Sequence, residues 1–429
     1  MPFRKPALKP IRLDKAAPAT EPQPFLKTVE VDSGIAQTWE AAHGPIAVIF
    51  PNVIQNFTLH RRQWQTWLAE LDWCRIVVLV GNDRGIDGGP SVFVHDRQGG
   101  DPGKHPFHYE MSWADLNGAL GQLAPYWATY LRTMPGMAGW SPAEPERTVA
   151  AAPEVDLGPI LRLAARHALD TALQQALMSF AQSQLADAAK VATQDIEFHR
   201  EHRDDTDIRF AAVPAAVAVP DEPLDPAVVR AGWLSVLDLA DDDAHAAVAT
   251  FSAFGKQSKT VLPASTIARV HTDDGGAGEW IARLRPTQRT AKFALLDGAP
   301  GHAALIDPVT EAVVAFDGDD TYIAAVPSRL ATASPLASVE LQPDRVWIRT
   351  EDGTTYLCPE TSAVDVNWGY SGTGPRVLAQ VLHALLEDIN IDVAVGLAVP
   401  PAGLVELCKR PWEPGTVLTR KELEEAQRA

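Results

Sequence analysis

The stretch Trp368-Gly369-Tyr370-Ser371-Gly372-Thr373-Gly374-Pro375 combines two aromatic residues with three glycines and ends on a proline. Glycine adopts positive φ and allows close backbone approach, so the stretch predicts a tight loop. Pro375 suits the first turn of a helix, where its missing N–H is not needed. From Val377 to Ile389, apolar residues recur at the spacing of one buried helix face. The pattern therefore predicts a strand, a tight loop and an amphipathic helix.

The same loop offers groups that suit a ligand. The free N–H groups at the start of a helix can bind an anion, and hydroxyls and a guanidinium lie nearby in the sequence. The candidate ligand-binding residues are Trp368, Tyr370, Ser371, Thr373, Gly374 and Arg376. The alternative is a loop that only turns the chain, with both aromatic side chains packed in the core.

Residues from about Val346 to Gln427 resemble a small bacterial and phage family of domains of unknown function. That family has a short hairpin, a W-G-Y-x-G-(S/T)-G-P-x-x-L-A core, and an ending with a Trp, a Leu-Thr pair and an acidic helix. The matching positions are Arg345 to Arg349, the Asp352-Gly353 turn, Trp368 to Ala379, Trp412, Leu418 and Thr419. Ser371 and Thr373 stand where the family favours Gly and Ser. The resemblance covers about a fifth of the chain and implies a module boundary, but no activity.

Composition places the chain among ordinary globular proteins of two to four domains. It has 429 residues, of which 46% are hydrophobic and 21% charged. The formal charge of −18 argues against general nucleic-acid binding, which needs clustered Lys and Arg. Three cysteines without a C-x-x-C pair indicate neither a disulfide framework nor a zinc knuckle. We therefore predict a cytoplasmic protein, and no apolar run is long enough to predict a membrane helix.

The fold class predicted is mixed α+β, in five segments. These are a disordered basic Pro-rich arm at 1–24, an α/β domain at 25–150, a helical connector and linker at 151–220, a β-meander-rich domain at 221–335, and the Trp-Gly-Tyr module at 336–429. The arm could be a floppy tail, or could lie on an acidic partner or a neighbouring subunit. The Ala/Val/Pro-rich residues 211–220 are predicted as the linker.

Local patterns support the first half of this division. Apolar runs at 46–50 and 75–80 predict buried strands, and Trp64, Trp67, Leu68 and Leu71 predict an amphipathic helix between them. Ser112 and Asp115 predict a helix start, with a helical stripe that Pro125 must kink or break. Residues 155–205 predict two helices, or one long helix that packs on a partner.

Turn signals at Asp297-Gly298, Asp307-Pro308 and Asp317-Gly318 recur ten residues apart in the second half. The short apolar runs between them, beginning with 293–296, predict an antiparallel meander. The acidic residues 241–243 predict a solvated surface turn, and Thr419 with Glu422 predicts a capping box before the last helix.

A possible metal site lies near residue 200. The candidate ligands are His199, His202 and Asp205, with further carboxylates at Glu197 and Glu201. A catalytic metal needs three convergent protein ligands and an open position. The alternative is a charged, solvated helix end.

Three functions follow from these observations. The first is a non-enzymatic binding or assembly protein of bacterial or phage origin, which acts on a protein partner or forms a homo-oligomer and needs no cofactor. The second is a metal-dependent hydrolase or nuclease that uses the His/Asp/Glu cluster. The third is an anion or nucleotide sensor at the helix start near Gly374. Whether the chain is an enzyme stays open, and the sequence favours a non-enzymatic role.

Overall fold

The computed structural model divides the chain into two compact units. The first comprises Met1–Val155 and Gln182–Asp221, and the second comprises Asp156–Ala181 and Glu222–Ala429. The residues that the structure describes are 12–42, 44–52, 60–84, 89–97, 109–167, 169, 171–202, 208–218, 222–256, 258–262, 265–296, 303–343, 345–360, 366–394 and 396–429. Both units contain helices and strands, so the predicted mixed α+β class is confirmed. The five segments predicted from the sequence are finer than this division and stay a prediction.

A six-stranded sheet lies at the centre of the first unit, with its strands in chain order. They are β1 Phe25–Val31, β2 Gly34–Trp39, β3 Ile46–Pro51, β4 Ile76–Arg84, β5 Pro90–Asp96 and β6 Tyr109–Met111. Strands β3 and β4 are parallel, and the other neighbours are antiparallel. Parallel neighbours need a crossover connection, and helix α1, His60–Glu70, supplies it. The two buried strands predicted at 46–50 and 75–80 are confirmed.

Helix α1 carries the amphipathic stripe that the sequence predicts. Trp64, Trp67 and Leu71 are buried and belong to one apolar cluster with Ile49 and Val77 of the sheet. Their spacing of three and four residues places them on one helix face. The two indoles therefore fix the helix on the sheet.

Helix α2, Trp113–Leu120, begins at the predicted capping box. The Ser112 hydroxyl accepts the N–H of Asp115 at 3.0 Å, and the Asp115 carboxylate accepts the N–H of Ser112 at 3.2 Å. The helix ends at Gly121, which has a left-handed φ of 62°. The sequence predicts a helical stripe that continues to a break at Pro125, but the left-handed glycine ends the helix earlier.

The segment before β1 runs along the first unit instead of forming a free arm. Leu13 lies in a short 3-10 helix and is 6% exposed. The N–H of Ala19 donates to the carbonyl oxygen of Gly118 in α2 at 2.8 Å. The prediction of a disordered arm over residues 1–24 is therefore corrected for this part, because it finds both apolar burial and backbone acceptors. Residues 1–11 lie outside the described residues.

Two small parallel sheets complete the first unit. In them, β7 Pro125–Tyr126 pairs with β9 Arg209–Phe210, and β8 Arg147–Val149 pairs with β10 Ala212–Pro214. Helix α3, Met134–Met137, lies between β7 and β8 in the chain. The linker predicted over 211–220 is corrected at its start, where Ala211 and Ala212 are buried. Their small apolar side chains pack into the core, so the backbone pairs as a strand.

The helical stretch predicted over 155–205 consists of two helices, α4 Gly158–Arg166 and α5 Thr171–His202. One of the two alternatives left open by the sequence is therefore confirmed. The residues of α5 up to Ala181 belong to the second unit, and the later ones belong to the first. Three later residues lie in the core of the first unit: Ala188, Ala192 and Ile196.

In the second unit, three helices follow α5: α6 Pro226–Leu237, α7 Asp242–Phe254 and α8 Ser258–Val261. The acidic residues 241–243 are not a merely solvated turn, as predicted, because Asp243 pairs with Arg162 at 2.7 Å and with Arg166 at 2.9 Å. Both arginines lie in α4. A carboxylate at the start of one helix and a cation at the end of the other also interact favourably with the dipoles of the two helices.

A five-stranded antiparallel sheet has the order β11-β15-β14-β13-β12. Its strands are β11 Ser265–His271, β12 Arg285–Pro286, β13 Ala303–Ile306, β14 Val313–Phe316 and β15 Thr321–Pro327, and helix α9, Ala277–Arg283, lies between β11 and β12. Strands β13 to β15 confirm the predicted meander. The run 293–296 was predicted as its first strand and is instead part of a 3-10 helix. Phe293 and Leu296 are buried three residues apart, which matches the 3-10 period.

A four-stranded antiparallel sheet has the order β18-β17-β16-β19. Its strands are β16 Leu336–Leu341, β17 Val346–Thr350, β18 Thr355–Leu357 and β19 Thr416–Thr419. The predicted hairpin turn at Asp352-Gly353 is present, and Gly353 has a φ of 85°. Three helices cover this sheet: α10 Thr373–Glu387, α11 Ala402–Lys409 and α12 Arg420–Arg428. The capping box predicted at Thr419 and Glu422 is also present.

Candidate functional site

Helix α10 follows the Trp-Gly-Tyr stretch, as the sequence predicts. It begins at Thr373, and Val377, Leu378 and Leu382 form part of its buried face. The strand expected directly before the loop lies further away, because β18 ends at Leu357 and residues 366–372 contain no strand. The connection is longer than the predicted tight turn. It therefore needs its own contacts to hold a defined shape.

Hydrogen bonds at its first residues fix this loop. The indole Nε1 of Trp368 donates to the carbonyl oxygen of Gln342 at 2.9 Å, and the N–H of Gly369 donates to that of Cys408 at 2.9 Å. Gly369 has a φ of 88°, a left-handed conformation that favours glycine. Trp368 is half-buried against the core of the module. The loop is therefore attached both to the sheet and to the end of α11.

The ring of Tyr370 folds back over the next two glycines. A Cβ atom at Gly372 would collide with the ring, and one at Gly374 would lie 2.5 Å from the Tyr370 hydroxyl oxygen. Both positions must therefore lack a side chain for the ring to lie where it does. Tyr370 nevertheless remains 46% exposed, so it is not a core aromatic.

The side chains of this loop present mixed chemistry at the surface. Ser371, Thr373 and Arg376 are exposed, whereas Gly374 and Pro375 are buried. No side chain caps the start of α10, so its first N–H groups have no intrahelical or capping partner. Of the six predicted ligand-binding residues, Tyr370, Ser371, Thr373 and Arg376 are thus exposed on one continuous segment, Trp368 anchors it, and Gly374 is buried. Water satisfies free helix N–H groups equally well, so an anion site stays a prediction.

A second segment, residues 410–412, lies beside the loop. Of its residues, only Trp412 was identified from the sequence. A Cβ atom built on Gly369 would lie 3.9 Å from the carbonyl oxygen of Arg410 and from the Cα atom of Pro411. The Arg410 guanidinium carbon lies 5.8 Å from the centre of the Trp412 ring. Sequence reasoning did not identify Arg410 because it is 34 residues from Arg376, and only the fold brings their segments together. We define the Tyr370 surface as the exposed parts of residues 368–376 and 410–412.

The predicted metal site is only partly within the described residues. His199 is 6% exposed, and its Nε2 lies 3.7 Å from the Asp195 carboxylate. The side chain of His202 and all of Asp205 lie outside the described residues. Among the side chains that the structure describes, no three His, Cys, Asp or Glu residues are grouped to hold a metal. The site stays a prediction that metal analysis of the purified double variant His199→Ala/His202→Ala would test.

A buried polar network around His199 escaped the sequence reasoning. The Tyr126 hydroxyl donates to the Asp195 carboxylate at 2.7 Å, and the Tyr126 ring packs edge-on against His199. Burial, then the nearby Asp195 charge, raises the pKa of Tyr126 well above its ordinary value. Burial also lowers the pKa of Arg132. The four-residue spacing of Asp195 and His199 was the available signal, but Tyr126 comes from a distant strand.

The cysteines do not supply a nucleophile to either unit. Cys74, Cys358 and Cys408 are all buried thiols. Burial raises the pKa of Cys74 to about 11 and that of Cys408 to about 12, so both stay protonated near neutrality. Burial likewise raises the pKa of Cys358 well above its ordinary value. Their role is apolar packing.

No family model, no curated protein and no solved structure matches this chain. The resemblance of residues 346–427 to a bacterial and phage family therefore stays a prediction that rests on its motif. Across the described residues, the structure has no helix that is long and apolar enough to cross a membrane.

Proposed function

We propose that this chain is a non-enzymatic binding or assembly protein, and that the Tyr370 surface is its recognition site for another protein. One observation carries the proposal. The loop is held by the Trp368 and Gly369 hydrogen bonds, yet Tyr370 remains 46% exposed beside Ser371 and Thr373. A fixed backbone that leaves its aromatic side chain to solvent is an arrangement typical of binding loops on a rigid scaffold.

The composition of the surface supports the same proposal. Tyrosine, tryptophan and arginine dominate the energetics of protein interfaces, and serine and glycine accompany tyrosine in adaptable binding loops. Tyr370, Trp412 and Arg410 supply the first set, and Ser371 and Gly372 supply the second. Tyrosine loses little conformational entropy on binding because it has only two side-chain torsions. The partner is either another protein or a second copy of this chain.

We place this activity in the cytoplasm, because all three cysteines are buried free thiols, and structural disulfides mark oxidising compartments.

Selection from a displayed random-peptide library on the full-length protein tests the proposal. Peptides that bind the wild type should lose at least about tenfold in affinity for Tyr370→Ala, since truncation of a central interface aromatic costs about 2 kcal/mol or more. The matched control is Trp73→Ala in the first unit, which removes an aromatic side chain that is 39% exposed. Selected peptides that bind Tyr370→Ala as tightly as wild type would refute this site.

Sedimentation velocity over a range of protein concentrations separates the two kinds of partner. If the partner is a second copy, the wild type should associate as its concentration rises, and Tyr370→Ala should remain a monomer. A wild type that stays monomeric at every concentration points to a different protein.

A further inference from the structure

Among the described residues, no carboxylate pairs with either of the two arginines on the Tyr370 surface. Arg376 and Arg410 are exposed, and neither forms an ion pair within the described part of the chain. Glu406 of α11 pairs with Lys409 at 2.8 Å. Glu413, three residues beyond Arg410, is exposed and forms no ion pair with it in the described residues. Some other arginines of this unit are paired, as Arg162 is with Asp243, and others, such as Arg428, are exposed without an ion pair in the described residues. What distinguishes Arg376 and Arg410 is that both stand beside one exposed tyrosine.

The charge of the whole chain makes this feature informative. The formal net charge is −18, with 55 acidic and 37 basic residues. On such a chain, an exposed arginine has many carboxylates available on average, and a small basic surface stands out against the overall field. Charge complementarity selects partners and speeds encounter more than it raises affinity, so the sign of a local surface indicates the sign of its partner.

The fold joins the two backbone segments that carry these arginines, which are 34 residues apart in the sequence. Arg376 lies two residues beyond Gly374, which supports the Tyr370 ring. Arg410 follows α11 directly, and its guanidinium lies over the Trp412 ring. The hydrogen bond from Gly369 N–H to the Cys408 carbonyl joins the two segments at 2.9 Å. The arginines thus stand on the two joined segments that form the Tyr370 surface.

From this geometry we infer that the Tyr370 surface binds an acidic protein segment, with Arg376 and Arg410 facing Asp or Glu side chains and Tyr370 giving the central apolar contact. The inference rests on the proposed function, because it names the chemistry of the partner for the same surface. A guanidinium donates two parallel hydrogen bonds to a carboxylate, which gives geometric selectivity beyond simple attraction. The general acidity of the chain would repel the same segment elsewhere.

The composition of the selected peptides tests the inference. Peptides that depend on Tyr370 should be enriched in Asp and Glu over the starting library, and they should bind more weakly as ionic strength rises. The double variant Arg376→Glu/Arg410→Glu should lose at least about tenfold in affinity for them. In a fresh selection, that variant should instead enrich Lys and Arg.

Two controls keep the result interpretable. Arg428→Glu changes an exposed arginine on α12 of the same unit and should leave the affinity unchanged. Arg376→Gln/Arg410→Gln removes the charges without reversing them, and circular dichroism shows whether each variant stays folded. An intermediate loss for the Gln variant is expected if charge is the cause.

Several outcomes would overturn the inference. Peptides that depend on Tyr370 but lack acidic enrichment would refute it while the proposed function stands. Acidic peptides that bind the charge-reversed variant as well as wild type would also refute it. Displacement of the peptides by inorganic phosphate or a single-stranded oligonucleotide, beyond that given by chloride at equal ionic strength, would indicate a different ligand class. The absence of any Tyr370-dependent peptide would refute both proposals together.

Discussion

Two glycine-rich loops in the second unit each lead into a helix, and they use their glycines in opposite ways. Before α9, a side chain at Gly275 would collide with Glu340, and one at Gly276 would collide with the Trp347 ring. Both of those residues belong to the neighbouring sheet, so the loop is closed against the core. Before α10, the glycines instead accommodate Tyr370 from the same loop, which stays 46% exposed. The same sequence signal therefore marks tight packing in one loop and presentation of a side chain in the other.

The helices that follow differ in the same sense. Arg283 at the end of α9 forms a two-pronged pair with Asp307, at 2.9 and 2.7 Å. Asp307 is 0% exposed and also accepts hydrogen bonds from Trp280 and Thr310. The start of α10 carries no cap and no ion pair in the described residues. The closed loop is thus locked by a buried charge pair, whereas Arg376 after the open loop forms no ion pair in the described residues.

The largest effect on stability should come from removing the Arg283–Asp307 ion pair. Asp307→Ala leaves the Arg283 guanidinium, whose side chain is 18% exposed, without its counter-charge. Breaking a buried pair by deleting one partner costs about 3–5 kcal/mol, so we expect a loss of that order in the free energy of unfolding. Urea denaturation followed by tryptophan fluorescence measures it. A loss below about 1 kcal/mol would mean that α9 is no more firmly locked than α10.

The same carboxylate should make the closed loop sensitive to acid. Burial alone would raise the pKa of Asp307, but hydrogen bonds from Arg283, Val309 and Thr310 outweigh it and hold that pKa below its ordinary value. A depressed folded-state pKa contributes stability that is complete above the unfolded-state pKa of about 4 and is lost as pH falls through the folded value.

Wild type and Asp307→Asn should therefore differ by a constant amount above about pH 5 and converge in more acid solution. Urea denaturation at a series of pH values gives this difference directly. A difference that grows towards acid pH would contradict the depressed pKa.

The next largest effect on stability should come from adding a methyl group at Gly276. Its φ of −76° is accessible to any residue, so only the collision with Trp347 opposes a methyl group there. Trp347 is 1% exposed and has no room to move. Gly276→Ala should destabilise the protein by about 1–3 kcal/mol, as overpacking of a core does. The matched control is Gly278→Ala, where no atom lies within 4 Å of the added carbon, and which should be neutral or slightly stabilising.

Elements outside these two loops show what the sequence could and could not predict. Local chemistry was sufficient for the capping boxes at Ser112 and Thr419, the amphipathic faces of α1 and α10, and the meander, because each depends on residues close in the chain. It failed at residues 293–296 and 211–214, where tertiary burial decides between a strand and other structures.

The candidate site also contains residues that the local sequence identifies and residues that only the tertiary structure identifies. Residues 368–376 could be named as candidates because they are contiguous, and Pro375 indicated the first turn of the helix that begins at Thr373. Arg410 was not predictable, because its place beside Gly369 depends on how α11 ends. The sequence also could not predict whether a glycine-rich loop is closed or open. That property depends on which residue packs against the glycines, such as Trp347 or Tyr370.

The smallest expected effect on stability tests most directly whether the loop before α10 is open. A methyl group at Gly374 would lie 2.5 Å from the Tyr370 hydroxyl oxygen and 2.9 Å from the Asn367 Cβ atom. Because Tyr370 is half exposed, its ring can move aside, and alanine is favoured over glycine within a helix by about 1 kcal/mol. The Asn367 contact still requires a small shift of the loop, so Gly374→Ala should cost about 1 kcal/mol or less, below the cost of Gly276→Ala.

A double-mutant cycle with Tyr370→Ala isolates the contact between ring and glycine. If the ring is the obstacle, Gly374→Ala should be more favourable by about 0.5 kcal/mol or more when Tyr370 is already truncated. With Tyr370 present, Gly374→Ala should also weaken the binding of Tyr370-dependent peptides, because the added methyl group displaces the Tyr370 ring. A Gly374→Ala protein as unstable as Gly276→Ala, with no coupling to Tyr370, would mean that both loops are closed, and the recognition role of Tyr370 would lose its physical basis.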